Sequence, residues 1–418
     1  MSPVFSALAL SIFSLFPLAS ALAAAPDDTF PVIIVFQKDT PFHQFAANAK
    51  ADERVANDAP AWAYLDRGVM GAMQRLEGLH RFKAKHAYSH AAKGFAASLT
   101  QAQITALKSE PTVAYIENDI VMTANASPKS PPTTTLTPQS LPWGINKVEA
   151  DLSSTRAGNG NGAITNVRAY VIDTGIAAHQ DLNLVKHVNF IDTKNTDCNG
   201  HGTHVAGTIG AKDNTVDVVG VAPGIELIGV KVLDCRGSGT TSSALKGVDW
   251  VTANALRPAV ANLSLGGGVS DTLDAAVVRS AASGIFYAIA AGNNGADACS
   301  SSPARAGFNS GGLSNGIATT AATDSNNLEA SWSNYGPCVD IWSPGVGIVS
   351  TKMGGGLTTM SGTSMASPHT AGAGALVLSL NPNATPGQVE DSLRSYALGT
   401  GKSSKDTREI KLLQVNSF

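Results

Sequence analysis

The chain has 418 residues, of which 43% are hydrophobic and 15% charged, with a formal net charge of -3. That length and apolar fraction suffice to bury a large core and leave room for more than one domain. The near-neutral balance lacks the concentrated basic stripe that a nucleic-acid surface needs, and 41 glycines point to a compact body with small-residue turns.

Residues Val4 to Ala25 are almost wholly apolar or small and run into Pro26-Asp27-Asp28. The triplet Ala21-Leu22-Ala23 offers small residues to a signal peptidase, so residues 1–23 read as a secretory signal rather than a membrane anchor. No later segment is long and apolar enough to span a bilayer. The expected location is extracellular, without membrane attachment once the signal is removed. Next, Phe30 to Phe36 reads as a strand. Residues 43–80 carry helical spacings divided at Pro60. Tyr88 to Ala92 leads into a second strand, Gly94 to Leu99. Thr100 caps a helix to about Leu107, and Val113 to Glu117 is a third strand. Residues 24–126 therefore make a small α+β unit with nothing catalytic in it.

Residues 127–140 are rich in Pro and Thr, which disfavours helix and central strand. This stretch is either an exposed linker or an arm lying on the surface of the second domain. That domain, 141–418, opens with Asn166 to Ile172, a strand apolar on both faces, ending in Asp173-Thr174-Gly175. Further strands are expected at 218–222, 226–233, 259–265, 285–291, 317–322 and 339–345, with a hairpin at 348–350 and 357–360. Helices are expected at 241–254, 272–283, after Ser364, and from Thr385-Pro386 onward. Two-sided apolar strands joined by helices predict an α/β fold with a mostly parallel sheet covered on both faces. In such sheets, functional groups gather at the carboxyl ends of the strands, where Asp173, Gly266-Gly267-Gly268 and Gly292-Asn293-Asn294-Gly295 fall.

Cys198, Cys235, Cys299 and Cys338 are the only cysteines. Two disulfides are expected in an exported chain, with three pairings open, and no Cys-x-x-Cys pair suggests zinc. Pairing in sequence order would close loops of under forty residues, each removing about 4 kcal/mol of unfolded-state entropy. His201 and His204 share a helix face, but no acidic third ligand lies nearby, so metal binding is disfavoured there. Ser364, in Gly362-Thr363-Ser364-Met365-Ala366-Ser367-Pro368 before an apolar run, falls in the first turn of a helix. Alone it reads as a cap. With Asp173 and His201, however, it completes the set for nucleophilic acyl transfer: a carboxylate that orients a base, the base, and the nucleophile.

The order Asp173, His201, Ser364 is that of subtilisin-like enzymes and differs from the α/β-hydrolase and chymotrypsin orders. The blocks Val171-Ile172-Asp173-Thr174-Gly175, His201-Gly202-Thr203-His204-Val205-Ala206-Gly207-Thr208, Asn262 to Gly267, Ala291 to Gly295 and Gly362 to Pro368 resemble the subtilisin-like serine peptidases. The likeness is greatest to their proteinase K subfamily. Residues 30–120 resemble the inhibitory prodomain of that family. The resemblance implies a three-layer subtilisin-like fold behind an α+β prodomain, and a secreted, monomeric serine endopeptidase acting on proteins and peptides. It also implies that Asn293 and the Ser364 amide form the oxyanion site. Ser264, Leu265 and Gly266 would pair with the substrate backbone, with Gly237, Ser238 and Gly239 on its other side. Ala290, Ala291 and Gly292 would line an uncharged primary pocket, hence cleavage after apolar or aromatic residues. By the same resemblance, Cys198 pairs with Cys235 and Cys299 with Cys338, and Asp340 binds a stabilising calcium ion. The prodomain is expected to assist folding, to place residues 120–126 in the cleft, and to be cut after Ala126. A non-catalytic peptide-binding module and an esterase of small esters are the competing readings; no organic cofactor is expected.

Overall fold

The computed structural model describes residues 28–54, 62–124, 127–128, 138–307 and 314–418. The expected secretory signal and the expected processing bond after Ala126 lie outside the described residues. The N-terminal unit comprises β1 (Thr29–Phe36), α1 (Phe42–Ala46), α2 (Arg67–His80), β2 (Ala84–Tyr88), β3 (Gly94–Thr100), α3 (Gln101–Lys108) and β4 (Val113–Asn118). Its antiparallel sheet runs β2-β3-β1-β4. Side-chain caps set where its helices begin. Asp66 accepts from Gly68 N and Val69 N at the start of α2, and Thr100 and Gln103 form a reciprocal capping box at the start of α3. Strand β2 is not foreshadowed by periodicity, because Lys85 and His86 interrupt its apolar character; pairing with β3 holds it in place.

Strands β5 (Val121–Ala124) and β6 (Ser127–Pro128) and helix α4 (Trp143–Lys147) lead into the large body. That body continues with β7 (Arg168–Asp173), β8 (Leu184–Asn189), α5 (His201–Gly210), β9 (Glu226–Lys231), β10 (Ser238–Thr240), α6 (Thr241–Asn254), β11 (Ala259–Leu263) and β12 (Leu265–Gly267). After these come α7 (Asp271–Ala282), β13 (Ile285–Ala290), β14 (Ile317–Thr323), β15 (Ile341–Pro344), β16 (Ile348–Thr351) and β17 (Leu357–Ser361). The chain closes with α8 (Thr363–Leu380), α9 (Pro386–Tyr396), β18 (Leu398–Ser403) and β19 (Glu409–Leu412). A nine-stranded sheet runs β18-β19-β15-β14-β13-β11-β7-β9-β8, with only the β18–β19 pair antiparallel.

Alternation along β7 divides the core. Tyr170 and Ile172 join Leu245 and Val248 of α6 and Leu273 and Val277 of α7. Ala169 and Val171 join Val205 and Ile209 of α5 and Met365 and Leu376 of α8. Two helical layers thus cover the two faces of one sheet, because successive side chains on a strand point to opposite sides. The core under α6 and α7 continues into the N-terminal unit through Met73, Leu76 and Phe95.

Two local differences from the expected elements have physical causes. Residues 218–222 are not a strand. They form a buried loop whose amides cap the end of α5, with Val221 N donating to Thr208 O and Ala222 N to Ile209 O. Strands β8, β18 and β19 carry lysines and mixed exposure at the sheet margins, so they lack the continuous apolar run of the central strands. Within the 127–140 stretch, Ser127 and Pro128 pair with Ser361 and Met360, and Pro138 and Ser140 bridge to Val216 and Val218. Disulfides join Cys198 to Cys235 and Cys299 to Cys338, and no cysteine is free.

Candidate active site

Parallel pairing makes β7, β11 and β13 end on the same edge of the sheet, where the chain leaves each strand as an open turn. Asp173 is the last residue of β7 and fully buried. Its Oδ1 accepts from Thr174 N at 2.6 Å and lies 2.7 Å from Nδ1 of His201. His201 is the first residue of α5. Helix α5 comes this close because a side chain at Gly202 would collide with the carbonyl of Gly175 and with Asp173. Burial disfavours the His201 imidazolium, but the charge and hydrogen bond of Asp173, with a further contribution from Asp197, outweigh it and raise the pKa. His204, three residues on, is held neutral by burial, its pKa lowered to about 3, and its Nε2 meets Ile348 O at 3.0 Å. The two histidines on one helix face therefore have opposite characters, and only His201 is matched to a carboxylate.

Ser364 sits in the first turn of α8, fully buried. It does not cap that helix: no side-chain cap bond is formed there. Its hydroxyl donates to Ser264 O at 3.0 Å. Nε2 of His201 is buried without a hydrogen-bond partner among the described residues. Pro368 lies inside α8 and has no N–H to offer the carbonyl of Ser364 four residues earlier. The hydroxyl of Ser264 fills that vacancy, donating to Ser364 O at 2.9 Å. Asn262 in turn donates through Nδ2 to Ser264 Oγ at 2.8 Å and accepts from Ser367 Oγ at 2.7 Å. The end of β11 is thereby tied to the serine-bearing turn. Asn293 accepts through Oδ1 from both Thr363 N and Thr363 Oγ1 at 2.9 Å, which turns its NH2 end away from Thr363.

Strand β5 of this same chain fills a slot beside these groups. It pairs antiparallel with β10 on one side (Ser238↔Thr123, Gly239↔Met122) and with β12 on the other (Leu265↔Ala124, Gly266↔Thr123, Gly267↔Met122). Ala124 N also donates to Gly237 O at 2.9 Å. An extended peptide is thus clamped as the middle strand of three, by main-chain bonds that do not depend on its sequence. Next to it opens a cavity of about 350 Å³ whose lining includes Gly266, Ala290, Ala291, Gly292 and Asn334 and no charged side chain. At Gly292, φ is +104° and a Cβ would strike the Asn334 amide, so the wall of this cavity requires glycine.

Residues 165–410 match the Subtilase family, and residues 31–125 match Peptidase inhibitor I9. The chain belongs to the subtilase family. Similar proteins include the alkaline serine exoprotease A of Vibrio alginolyticus, 39% identical over 402 residues that span 94% of this chain and 68% of that protein. The extracellular serine proteinase of Thermus sp. (strain Rt41A) is 40% identical over 343 residues, covering 79% of this chain and 77% of its own. Among solved structures, the crystal structure of a cold adapted subtilisin-like serine proteinase matches with a TM-score of 0.58 and 42% identity, over 65% of this chain and 97% of that one. As a subtilase, this protein is a serine endopeptidase with a three-layer α/β body and an N-terminal inhibitor unit. No described helix is long and apolar enough to cross a membrane.

Two features of the subtilase escape motif reading. Asp249, in the middle of α6, receives Ser89 N at 3.0 Å, His90 N and Ala91 N at 2.7 Å, and the Tyr64 hydroxyl at 3.0 Å. A single carboxylate of the body thus holds a turn of the inhibitor unit. The sequence signal was an acidic residue between Val248 and Trp250 on a helix that is otherwise apolar there. Asp197, four residues before His201, is likewise buried and multiply bonded; an Asp shortly before a helix that opens with Gly-His is the signal in that case.

For a metal, Asp340 is the residue in question. Its Oδ2 accepts from Thr319 N at 2.8 Å. Burial first, and then the nearby Glu390, push its pKa well above the usual carboxylate range. No lysine or arginine among the described residues forms an ion pair with it. A buried carboxylate without an ion-pair partner is an oxygen ligand of the kind a hard cation takes. The one grouping of three potential ligands among the described residues, Asp192 with Cys198 and Cys235, has both sulfurs committed to a disulfide.

Proposed function

We propose that this subtilase is an exported endopeptidase of broad specificity that cleaves after apolar or aromatic residues, with Ser364 as nucleophile, His201 as general base and Asp173 as the group that orients it. The single observation that carries this reading is the buried 2.7 Å contact of Asp173 Oδ1 with His201 Nδ1, with Ser364 on α8 bonded to Ser264 O just beyond the end of β11, the strand beside β7. In the reaction, the Ser364 hydroxyl turns from Ser264 O toward Nε2 of His201. His201 takes its proton as Oγ attacks the scissile carbonyl, and Asp173 stabilises the imidazolium that results. The NH2 of Asn293 and the main-chain N–H of Ser364 hold the oxyanion, each donor contributing about 3 kcal/mol in sites of this kind. His201 then gives the proton to the leaving amine. Water, activated by the same imidazole, releases the acyl group from Ser364.

The substrate main chain occupies the place taken by β5, between Gly237, Ser238 and Gly239 on one side and Ser264, Leu265 and Gly266 on the other. The uncharged cavity walled by Ala290, Ala291 and Gly292 receives the residue before the scissile bond, which supports apolar or aromatic preference. Until its release the inhibitor unit blocks that slot with its own strand. Calcium at Asp340 would supply positive charge to a buried acid and stabilise the fold, with no part in the chemistry. Casein hydrolysis that a serine-directed inhibitor abolishes, together with a peptide-library preference for Phe, Tyr, Leu or Ala before the cut, is the expected result. Strict preference for Arg or Lys, or hydrolysis of small esters without casein cleavage, would refute it.

A further inference from the structure

We infer that Asp197 and Thr174 are positioning residues that lock the Asp173–His201 pair together from behind. The inference rests on the roles proposed above for Asp173 and His201. Asp173 and His201 come from different elements, the end of β7 and the start of α5, so their 2.7 Å contact needs something to fix one element against the other. The buried carboxylate of Asp197 does this. Through Oδ1 it accepts from Thr174 Oγ1 at 3.0 Å and from Asn199 N and Gly200 N at 2.9 Å; through Oδ2 it accepts from Thr203 N at 3.0 Å and Thr203 Oγ1 at 2.6 Å. Thr174 follows Asp173 directly, whereas Gly200 precedes His201 and Thr203 lies one position beyond Gly202. The Thr174 hydroxyl closes the circuit by accepting from Gly202 N at 2.9 Å. One side chain thus satisfies the amides of Asn199 and Gly200 just before α5 and that of Thr203 in its first turn, which has no partner within the helix, and ties that turn to the residue after Asp173.

Groups of both charges face the cluster. Asp173 and His201 belong to it. From β9, Lys231 donates to Thr174 O at 3.0 Å and lies 3.4 Å from Asp192. His187 of β8 feels Lys231, Asp197 and Asp192, and His204 faces His201. Asp197 adds negative charge near the imidazolium, so its removal makes protonation of His201 harder. The acid limb of activity then moves to lower pH.

The experiment uses the full-length protein, matured by its own processing, with kcat and KM on a chromogenic peptide, pH profiles and melting curves. Thr174→Val keeps the shape of the side chain but loses the hydroxyl. It is expected to lower kcat about 10- to 100-fold with KM unchanged, the scale of a small misplacement of reacting groups. Thr174→Ser restores the hydroxyl and is expected to stay within about threefold of the parent. Asp197→Asn is expected to lower kcat similarly and to move the acid limb downward. Parent-like kcat in Thr174→Val, or a loss in Asp197→Asn that follows its melting temperature with no movement of the acid limb, would overturn the inference. Ser364→Ala distinguishes the underlying reading: if that variant keeps its activity, the roles of Asp173 and His201 fall as well.

Discussion

Replacing Asp249 with alanine tests how the inhibitor unit is held, at a site away from the chemistry. Three main-chain amides, those of Ser89, His90 and Ala91, donate to this one carboxylate at 2.7 to 3.0 Å. Hydrogen bonds to a charged acceptor contribute about 1.5 to 3 kcal/mol each, so the three amount to roughly 4.5 to 9 kcal/mol on paper. Water entering the vacated space and non-additivity reduce this, and about 3 to 4 kcal/mol is the expected loss, or a 10²- to 10³-fold weaker Kd. The assay dilutes processed protein with its inhibitor unit still bound and follows the rise in peptide hydrolysis as the unit departs. Asp249→Ala should release it faster and at higher protein concentration, while the melting temperature of the released enzyme stays put. A Kd within threefold of the parent would refute the reasoning and leave the paired strand β5 as the dominant hold.

Acidification should loosen the same complex. His86 is buried, and burial, followed by the charges of Lys246 and Lys85, puts its pKa well below 6.5. A depressed pKa means that the stability it contributes is present above 6.5 and is lost as pH falls below that value; inhibitor dissociation measured from pH 7.5 to 5 should accelerate, and His86→Leu should flatten the profile. Ser264→Ala removes the donor to the Ser364 carbonyl that Pro368 cannot supply, a cost of about 1 to 3 kcal/mol; kcat should fall about 10- to 100-fold, and the added Pro368→Ala, which restores a main-chain N–H, should recover part of it. Chelation by EDTA should lower the melting temperature of the parent and leave Asp340→Asn little changed, as read by calorimetry; an unchanged parent would remove calcium from the account.

The sheet could be read from sequence because its central strands are apolar on both faces and bounded by glycine. The run Ile285 to Ala290 is wholly buried and reads the same way in the chain as in the fold. Helix starts were legible where a side chain caps them, as at Thr100 and Thr385. Residues 218–222 misled because burial, which their composition does signal, is compatible with a loop whose amides serve a helix end. Strand β2 was missed because its stability comes from its neighbours rather than from its own residues. At the site, Asp173, His201 and Ser364 were conspicuous through small-residue blocks that allow close approach. Asp197 and Thr174 lay within or beside those blocks, but their link to each other, a hydrogen bond across 23 residues, is not recorded in either stretch; Asp249 was not conspicuous, since its importance lies in the distant amides of Ser89, His90 and Ala91.

Labelling of the processed protein by a serine-directed fluorophosphonate tests the central claim most directly. The account predicts a single adduct on Ser364, its formation slowed by orders of magnitude in Asp173→Asn, and no hydrolysis by Ser364→Ala. An adduct on another residue, or casein cleavage that persists in Ser364→Ala, would contradict it.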